Sequence, residues 1–354
     1  MRTFLRIALW CAAGLAGLTL CATAAFYFFL LRPSENFMAF LEENPEKVSV
    51  TYVRNDSTLV DHRSDVLMPL ASTVKIMVAV EYAKQAAAGF IDPDLEVSQN
   101  DLTKYYLEGT DGDAHPTWLS SLDEGPITLR DVAKGMILYS SNANTEFLCE
   151  LLGLDQINAT MDSLGLVAST DVDYIVAQML INQEVTRGDV DQLKTMSPER
   201  YAQATARIHA QLKGDADYAS GFDGEFLGLD VQQVWSDRLP ASSTREYATF
   251  MGHLNRRDLL SEEVHHHLDE ILEQQPHPSR KRFGEKGGST GWVLTSASYI
   301  TDVKGNREEL AIFLNNSGGE LVANKTFGFL FFRESIFSPV PLIQRDFVAR
   351  LQAL

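Results

Sequence analysis

The sequence predicts an α/β protein of two lobes, in which both ends of the chain supply an antiparallel sheet and an all-helical lobe is inserted between them. Residues 48–53 alternate and are β-branched, and a turn at 55–57 separates them from a second predicted strand at 58–60. Further strands are predicted at 292–301 and 309–315, joined through the turn residues 304–306. Short alternating runs bounded by turn residues are typical of paired strands. The long stretch between them has helical spacing. A cleft between the lobes is the expected place for a small-ligand site.

Composition and charge exclude several classes of protein. The 354 residues are 45% hydrophobic and 10% aromatic, which suits a globular protein with a sizeable core. A net charge of −18 argues against a nucleic-acid partner. Cys11 and Cys21 lie in the apolar N-terminal segment, so Cys149 is left alone and neither a disulfide framework nor a Cys-x-x-Cys metal site is expected. We predict no metal and no cofactor.

Residues 1–31 are predicted to form a transmembrane signal anchor. No charge occurs from Ile7 to Leu31, which is long enough to cross a bilayer as a helix. Arg2 and Arg6 precede this segment and acidic residues follow it, which predicts a single-pass protein of the cell membrane with its folded part outside the cytoplasm. The Ala-Thr-Ala sequence at 22–24 supports the alternative of a cleaved signal peptide and a secreted or periplasmic protein.

The rest of the chain is divided by the sequence into a short polar tether, residues 32–47, and a folded domain, residues 48–354. Helix periodicity and capping residues indicate where the domain's helices begin. The helices are predicted at residues 72–88, from Thr128 to residue 138, from Ser197 and Pro198 onwards, and at residues 340–354.

Ser72 and Lys75 form the first candidate catalytic motif, at the start of the helix predicted at residues 72–88. Residues three apart lie on one face of a helix. A serine hydroxyl becomes a good nucleophile when a neighbouring base takes its proton. An amine serves as that base when burial and nearby cations lower its pKa. Ser-x-x-Lys alone is a weak signal, because most instances are a capping serine and a solvated lysine.

Two further motifs strengthen this interpretation. Ser140-Ser141-Asn142 ends an apolar helical run, and Lys286-Gly287-Gly288-Ser289 begins a predicted strand. With Ser72 and Lys75, they occur in the order and at about the separations found in class A β-lactamases and penicillin-binding proteins. The chain resembles that superfamily over residues 48–354. The resemblance implies a two-lobed β-lactamase/transpeptidase-like fold, with a five-stranded antiparallel sheet flanked by helices.

The resemblance also implies a role for each motif residue. Ser72 is the nucleophile, Lys75 assists its deprotonation, and Ser140 passes a proton to the leaving nitrogen. Asn142 hydrogen-bonds the acyl amide of the substrate. The third motif, of which Lys286, Gly288 and Ser289 are the substrate-binding residues, lines the strand that meets the substrate carboxylate, and the N–H groups of Ser72 and Ser289 form the oxyanion hole.

The sequence departs from the family pattern in three places. Gly287 stands where the family has Thr or Ser, which removes a hydroxyl for the carboxylate, and Ser141 stands where class A enzymes most often have Asp. The omega-loop pattern Glu-x-x-Leu-Asn is matched only by residues 178–182, where Gln178 replaces the glutamate and Asn182 is retained. An amide cannot take a proton from water, so slow deacylation is expected.

Three acidic residues near Gln178 are alternatives for the missing base, namely Asp171, Asp173 and Glu184.

From the three motifs and the resemblance, the chain is expected to be a serine acyl-enzyme hydrolase that cleaves β-lactam amides or peptidoglycan D-alanyl peptides. The alternative is a catalytically degenerate, membrane-tethered module that binds cell-wall peptide as a sensor or scaffold. Residues 213–240 are predicted to be an insertion relative to the family, without an assigned role.

Overall fold

The computed structural model describes residues 31–274 and 277–354, which fall into two compact units. The larger unit comprises residues 47–323, and the smaller one comprises residues 324–354 together with the described residues up to 46. The predicted membrane anchor lies outside the described residues except for Leu31. Among the residues that the structure does describe, no helix combines the length and apolar character needed to cross a bilayer.

A five-stranded antiparallel sheet forms one layer of the larger unit. Its strands are β1 Val48–Arg54, β2 Ser57–His62, β7 Arg280–Ser289, β8 Val293–Asp302 and β9 Arg307–Asn315. They lie in the order β2-β1-β9-β8-β7. Pairing of Val48 with Leu314 joins the first strand to the last, so both ends of this unit meet in one sheet, as predicted. From Val293 to Ile300 every residue of β8 is buried, because helices cover both faces of the sheet.

The helix that follows Ser72 lies in the centre of the larger unit. This helix, α2 Lys75–Ala87, buries most of its length, which explains why its sequence is apolar on nearly all sides. Helices α12 Thr244–Arg256 and α13 Glu262–Leu272 belong to the sheet side of the unit. The ring of Tyr247 on α12 packs edge-on against Phe313 of β9, with 5.5 Å between the ring centroids.

The helical lobe occupies the sequence between β2 and α12, as predicted. Its helices begin where the sequence places caps: Thr128 and Asp131 form a capping box, and Ser197 Oγ accepts a hydrogen bond from Arg200 N–H. Short strand pairs join β3 Met68–Pro69 to β6 Ala241–Ser242, and β4 Glu96–Val97 to β5 Ile127–Thr128. The helices are α3 Gln99–Thr103, α4 Ala114–Ser120, α5 Leu129–Lys134, α6 Asn142–Leu152, α7 Leu154–Ser163, α8 Ile175–Met179, α9 Val190–Lys194, α10 Pro198–Gly214 and α11 Leu229–Asp237.

The smaller unit corrects the prediction of a polar tether at residues 32–47. Residues Arg32–Glu43 form helix α1, which packs with α14 Thr326–Ile336, and α14 packs in turn with α15 Pro341–Gln352. Phe37 lies 5.3 Å, between ring centroids, from both Phe329 and Phe332. Arg350 of α15 binds carboxylates on α1. The segment forms a helix because its apolar residues lie three and four apart, on the one face that the C-terminal helices cover.

Candidate active site

Ser72 lies on a tight turn immediately before α2. Residues Ala71–Val74 form a 3₁₀ turn, in which the Lys75 N–H donates to the Ser72 carbonyl. In a 3₁₀ turn, side chains three residues apart eclipse each other, so Ser72 and Lys75 share a face as predicted. Ala71 has a φ of +44°, a strained conformation for a residue with a side chain. Ser72 is half-buried, whereas Lys75 is completely buried.

The second motif follows a π-helical turn, Gly135–Tyr139, that ends in Ser140 with a left-handed φ of +68°. Ser141 then caps α6, because its Oγ accepts from Asn144 N–H at 3.2 Å. The same hydroxyl lies 2.9 Å from Nδ1 of His115, which is 1% exposed. His115 therefore fixes the start of the helix that carries Asn142. The sequence did not indicate this role, because the two residues are 26 positions apart.

The Lys75 side chain joins the first motif to the second. Its Nζ donates to the Ser140 carbonyl at 2.6 Å and to Asn142 Oδ1 at 2.8 Å, and lies 3.2 Å from Ser140 Oγ. Among the described residues it makes no hydrogen bond to the Ser72 hydroxyl. Burial, and then the positive charge of Lys286, lower the pKa of Lys75 well below its usual value. A neutral amine at this position is suited to accept a proton.

The third motif lies on β7, which passes directly against the nucleophile's turn. A Cβ atom at Gly288 would lie 2.5 Å from the Ser72 backbone nitrogen, so only glycine fits there. Thr73 Oγ1 lies 2.8 Å from Thr295 Oγ1, and Thr295 Oγ1 donates to the Leu70 carbonyl at 2.7 Å. These contacts hold the Ser72 amide beside the strand. The Ser72 amide therefore lies beside the end of β7, the strand that carries Ser289.

Lys286 supplies the positive charge of the site. The side chain is 6% exposed and its Nζ donates to the Gly287 carbonyl at 3.0 Å. Burial lowers the pKa of Lys286 to about 8, although Glu285 opposes the shift. The ammonium therefore exists mainly below that pH.

Acylation by substrates that carry a carboxylate should consequently decrease as the pH rises through about 8. The second-order acylation rate reports ionisation of the free enzyme, and loss of the Lys286 charge weakens carboxylate binding. Stopped-flow measurement of the acylation rate between pH 6 and 10 detects this decrease. The Lys286→Arg variant, which stays charged, should show no such decrease. An unchanged wild-type rate from pH 7 to 10 would contradict the assignment.

Gly287 leaves room for the hydroxyl that the family has at this position. A Cβ atom there would meet only the Thr295 carbonyl, at 3.4 Å, an ordinary contact. The Gly287→Thr variant should therefore fold and should acylate about tenfold faster with carboxylate-bearing substrates, since one good hydrogen bond to a charged group is worth that much. The methyl ester of the same substrate is the control. An equal gain with the ester would mean that the hydroxyl does not bind the carboxylate.

Gln178 lies on α8 and is buried, with 5% exposure. Its Nε2 donates to Asp173 Oδ2 at 3.5 Å, and its Oε1 has no hydrogen-bond partner among the described residues. Burial raises the pKa of Asp173 above its usual value. Of the three acids that the sequence offered as substitute bases, Asp173 contacts Gln178, whereas Asp171 is exposed and Glu184 accepts from Gln183.

Asn182 is directed toward the predicted insertion and not toward the Lys75 amine. Its Nδ2 donates to the Phe226 carbonyl at 2.8 Å, and its Oδ1 accepts from Thr186 Oγ1 at 2.7 Å. Gln183 adds hydrogen bonds to the Gly221 carbonyl and the Asp223 N–H. In the described ranges no hydrogen bond joins Gln178 or Asn182 to Lys75. Residues 221–226, within the predicted insertion, thus hydrogen-bond to residues 182 and 183.

Three other sequence features lie away from this site or within the core. Tyr105 is 1% exposed and stacks on His209, so it packs within the helical lobe. Cys149 is buried in the core. Of the three consecutive histidines 265–267, His265 is 1% exposed, whereas the His266 side chain is 70% exposed.

This fold, with three motifs gathered around one buried amine, is that of the class A β-lactamases. A β-lactamase from Sphaerobacter thermophilus is 20% identical, covering 88% of this chain and 96% of that one, with a TM-score of 0.55. A class A representative from Bacteroides cellulosilyticus is 17% identical (91% and 99% covered, TM-score 0.50). The class A β-lactamase of the last common ancestor of Gram-negative bacteria is 18% identical (85% and 97% covered, TM-score 0.52).

The chain belongs to the β-lactamase enzyme family, which it matches over residues 32–324. No curated protein matches the sequence. The structural similarities, at these low identities, show a shared fold. The resemblance predicted from the three motifs is confirmed at the level of family and fold.

Proposed function

We propose that this protein is a serine hydrolase in which Ser72 is acylated by β-lactam amides or by peptidoglycan D-alanyl peptides. The observation that carries the proposal is the buried amine of Lys75, which lies three residues after Ser72 and hydrogen-bonds to Ser140 and Asn142. Burying a lysine amine is costly, and its lowered pKa makes the amine a proton acceptor beside Ser140.

The proposed acylation has two stages. Ser72 Oγ attacks the substrate carbonyl carbon while its proton passes to Lys75, and the N–H groups of Ser72 and Ser289 stabilise the oxyanion. The carbon–nitrogen bond then breaks, and Ser140 gives its hydroxyl proton to the leaving nitrogen. Lys75, 3.2 Å from Ser140 Oγ, returns a proton to that oxygen. The product is an ester of Ser72 and a neutral amine.

Asn142 and Lys286 are proposed to select the substrate. Asn142 Oδ1 is occupied by Lys75, which leaves the Nδ2 hydrogens to donate to the carbonyl of the substrate's acyl amide. The Lys286 ammonium attracts the carboxylate. β-Lactams and D-alanyl peptides share both features, a carboxylate and an acyl amide, on either side of the reacting carbonyl.

Deacylation is proposed to be slow. We align Gln178 with the general base of the omega-loop pattern, and an amide orients water without accepting its proton. Asn182, the second residue of the omega-loop pattern, is bound to the Phe226 carbonyl. The acyl-enzyme is therefore expected to persist for minutes to hours.

The full-length protein should be labelled by a fluorescent penicillin at Ser72, and the Ser72→Ala variant should not be labelled. Ser57→Ala, at an exposed serine of β2, is the matched control and should label normally. Intact mass spectrometry follows the decay of the adduct. Labelling that survives Ser72→Ala, or no labelling of the wild type, would reject the nucleophile.

A second candidate function is binding of cell-wall peptide by a catalytically degenerate sensor or scaffold. Gln178, Gly287 and the orientation of Asn182 favour it, since each removes a group used for turnover or for carboxylate binding. Hydrolysis of a chromogenic cephalosporin, compared with binding of a D-Ala-D-Ala peptide, separates the two functions. Binding without acylation of Ser72 would favour the sensor.

We also propose that the folded part acts outside the cytoplasm, held at the membrane by residues 1–31. The uncharged run from Ile7 to Leu31, with Arg2 and Arg6 before it, supports this location. Cell-wall substrates are found there. Protease accessibility of the folded part in intact spheroplasts, compared with lysed ones, tests the orientation.

A further inference from the structure

A buried carboxylate on the Asn142 helix holds the segment that carries Gln178. Glu146 lies one turn after Asn142 on α6 and has no exposed surface. Its Oε2 accepts from Val176 N–H at 2.9 Å, and its Oε1 accepts from Ala177 N–H at 3.3 Å. Both amides are in the first turn of α8. The position of Gln178 relative to α6 thus depends on one carboxylate.

His209, from α10, contacts this carboxylate and a second one. Its Nδ1 lies 2.9 Å from Glu146 Oε1, and its Nε2 lies 2.8 Å from Glu150 Oε2. Ionised carboxylates only accept hydrogen bonds, and a neutral imidazole has a single N–H. Two such contacts therefore require both ring nitrogens to carry hydrogen. The geometry describes an imidazolium between two carboxylates.

The faces of the His209 ring are also occupied. The Tyr174 ring is parallel to the His209 ring within 4°, with 3.4 Å between the ring centroids. The Tyr105 ring is also parallel to it, with 5.6 Å between the ring centroids. Aromatic faces attract a cation. Tyr174 immediately precedes α8, so His209 holds this segment both through Glu146 and through the Tyr174 ring.

We propose that Glu146 and His209 are positioning residues, which as an ion pair hold residues 174–178 against α6 and thereby place Gln178 for the hydrolysis of acylated Ser72. The catalytic consequence rests on the proposed function, whereas the positioning of the segment does not. The hydrogen bonds of Glu146 go to Val176, Ala177 and His209. We therefore propose that it affects hydrolysis only through the position of Gln178.

The positioning is expected to depend on pH. Burial by itself lowers the pKa of His209, but hydrogen bonds and charges from Glu146 and Glu150 outweigh it and raise the pKa above 6.5. The contribution of the pair is therefore complete below about pH 6.5 and is lost as the pH rises through the raised value. The titratable and charged groups around His209 are Glu146, Glu150, Asp173, Tyr105, Tyr174 and Lys213.

Hydrogen exchange of the full-length protein tests the positioning directly. Protection of the amides of residues 175–178, corrected for intrinsic exchange, should decrease at least tenfold as the pH rises through the His209 transition. In His209→Gln it should be low and independent of pH, and in Glu146→Gln likewise. His266→Gln, at an exposed histidine, should behave as wild type. Protection that is independent of pH in the wild type would overturn the proposal, whether or not the variants fold.

Decay of the penicillin adduct provides the catalytic readout. In His209→Gln the adduct on Ser72 should decay at least threefold more slowly, while acylation changes less than twofold. Loss of protection with an unchanged decay rate would overturn the positioning role. A wild-type protein that is never acylated would instead reject the proposed function, and the exchange result would stand by itself.

Discussion

Replacing Lys75 with methionine should slow acylation of Ser72 by roughly a thousandfold, the scale of a lost general base. Methionine has nearly the same length and is apolar, so it fits the completely buried position. The variant removes the proton acceptor and leaves Ser140 and Asn142 without their shared partner. Because the pKa of the amine is lowered well below its usual value, wild-type acylation should also decline at acid pH, where the amine becomes protonated.

Stopped-flow measurement of penicillin acylation gives this effect without interference from deacylation. Lys304→Met, at an exposed lysine in the β8–β9 turn, is the matched control and should acylate at the wild-type rate. Thermal unfolding should show that Lys75→Met still folds, because methionine fills the buried volume, with a loss of about 1–3 kcal/mol for each acceptor left without a donor. A decrease smaller than tenfold in a stable variant would mean that another group deprotonates Ser72.

The second large effect is expected from Gln178→Glu, which should accelerate loss of the acyl group about a hundredfold or more. The substitution changes an amide into a group that accepts a proton, with almost no change in volume. Asp173 lies at hydrogen-bond distance from this side chain. Its negative charge and the burial of the site both raise the pKa of the introduced carboxylate toward neutrality, where a general base is most effective.

Intact mass spectrometry after a penicillin pulse measures the adduct lifetime. Gln183→Glu, five residues further along the same segment, is the control and should leave the lifetime unchanged, since Gln183 binds residues 221 and 223. Combining Gln178→Glu with Asp173→Asn removes the repulsion between carboxylates and should recover stability lost in the single variant. A stable single variant that acylates normally and keeps the wild-type lifetime would show that Gln178 does not contact the hydrolytic water.

Local sequence patterns were sufficient for four of the five strands and for the caps of the helices at Thr128 and Ser197. The prediction that the third motif begins a strand was wrong, because residues 286–289 end β7. The sequence of β1 alternates from Val48 to Tyr52, and Thr128 and Ser197 carry capping chemistry that depends only on neighbouring residues. Ser72 and Lys75 lie together because their spacing places them on one face of a turn. Gly288 was predicted as part of a motif, and the close approach of the Ser72 amide gives the physical reason.

The prediction of a polar tether at residues 32–47 was wrong for a reason that applies to short helices in general. The apolar residues of α1, among them Phe37 and Leu41, are interspersed with glutamates and an asparagine. Their helix is stabilised by the covering α14, which is almost 300 residues further along the chain. No local pattern contains that partner.

The sequence by itself determined which residues are proposed to carry the chemistry, because nucleophile, amine and turn glycines are recognised by type and spacing. Only the tertiary structure decided their environment. His115 and Ser141, Asn182 and Phe226, and Glu146 and His209 are 26, 44 and 63 positions apart. Burial of Lys75, which makes its amine a base, comes from surrounding elements that no single segment contains. Desolvation and side-chain orientation arise when distant segments pack, and they are therefore properties of the folded chain.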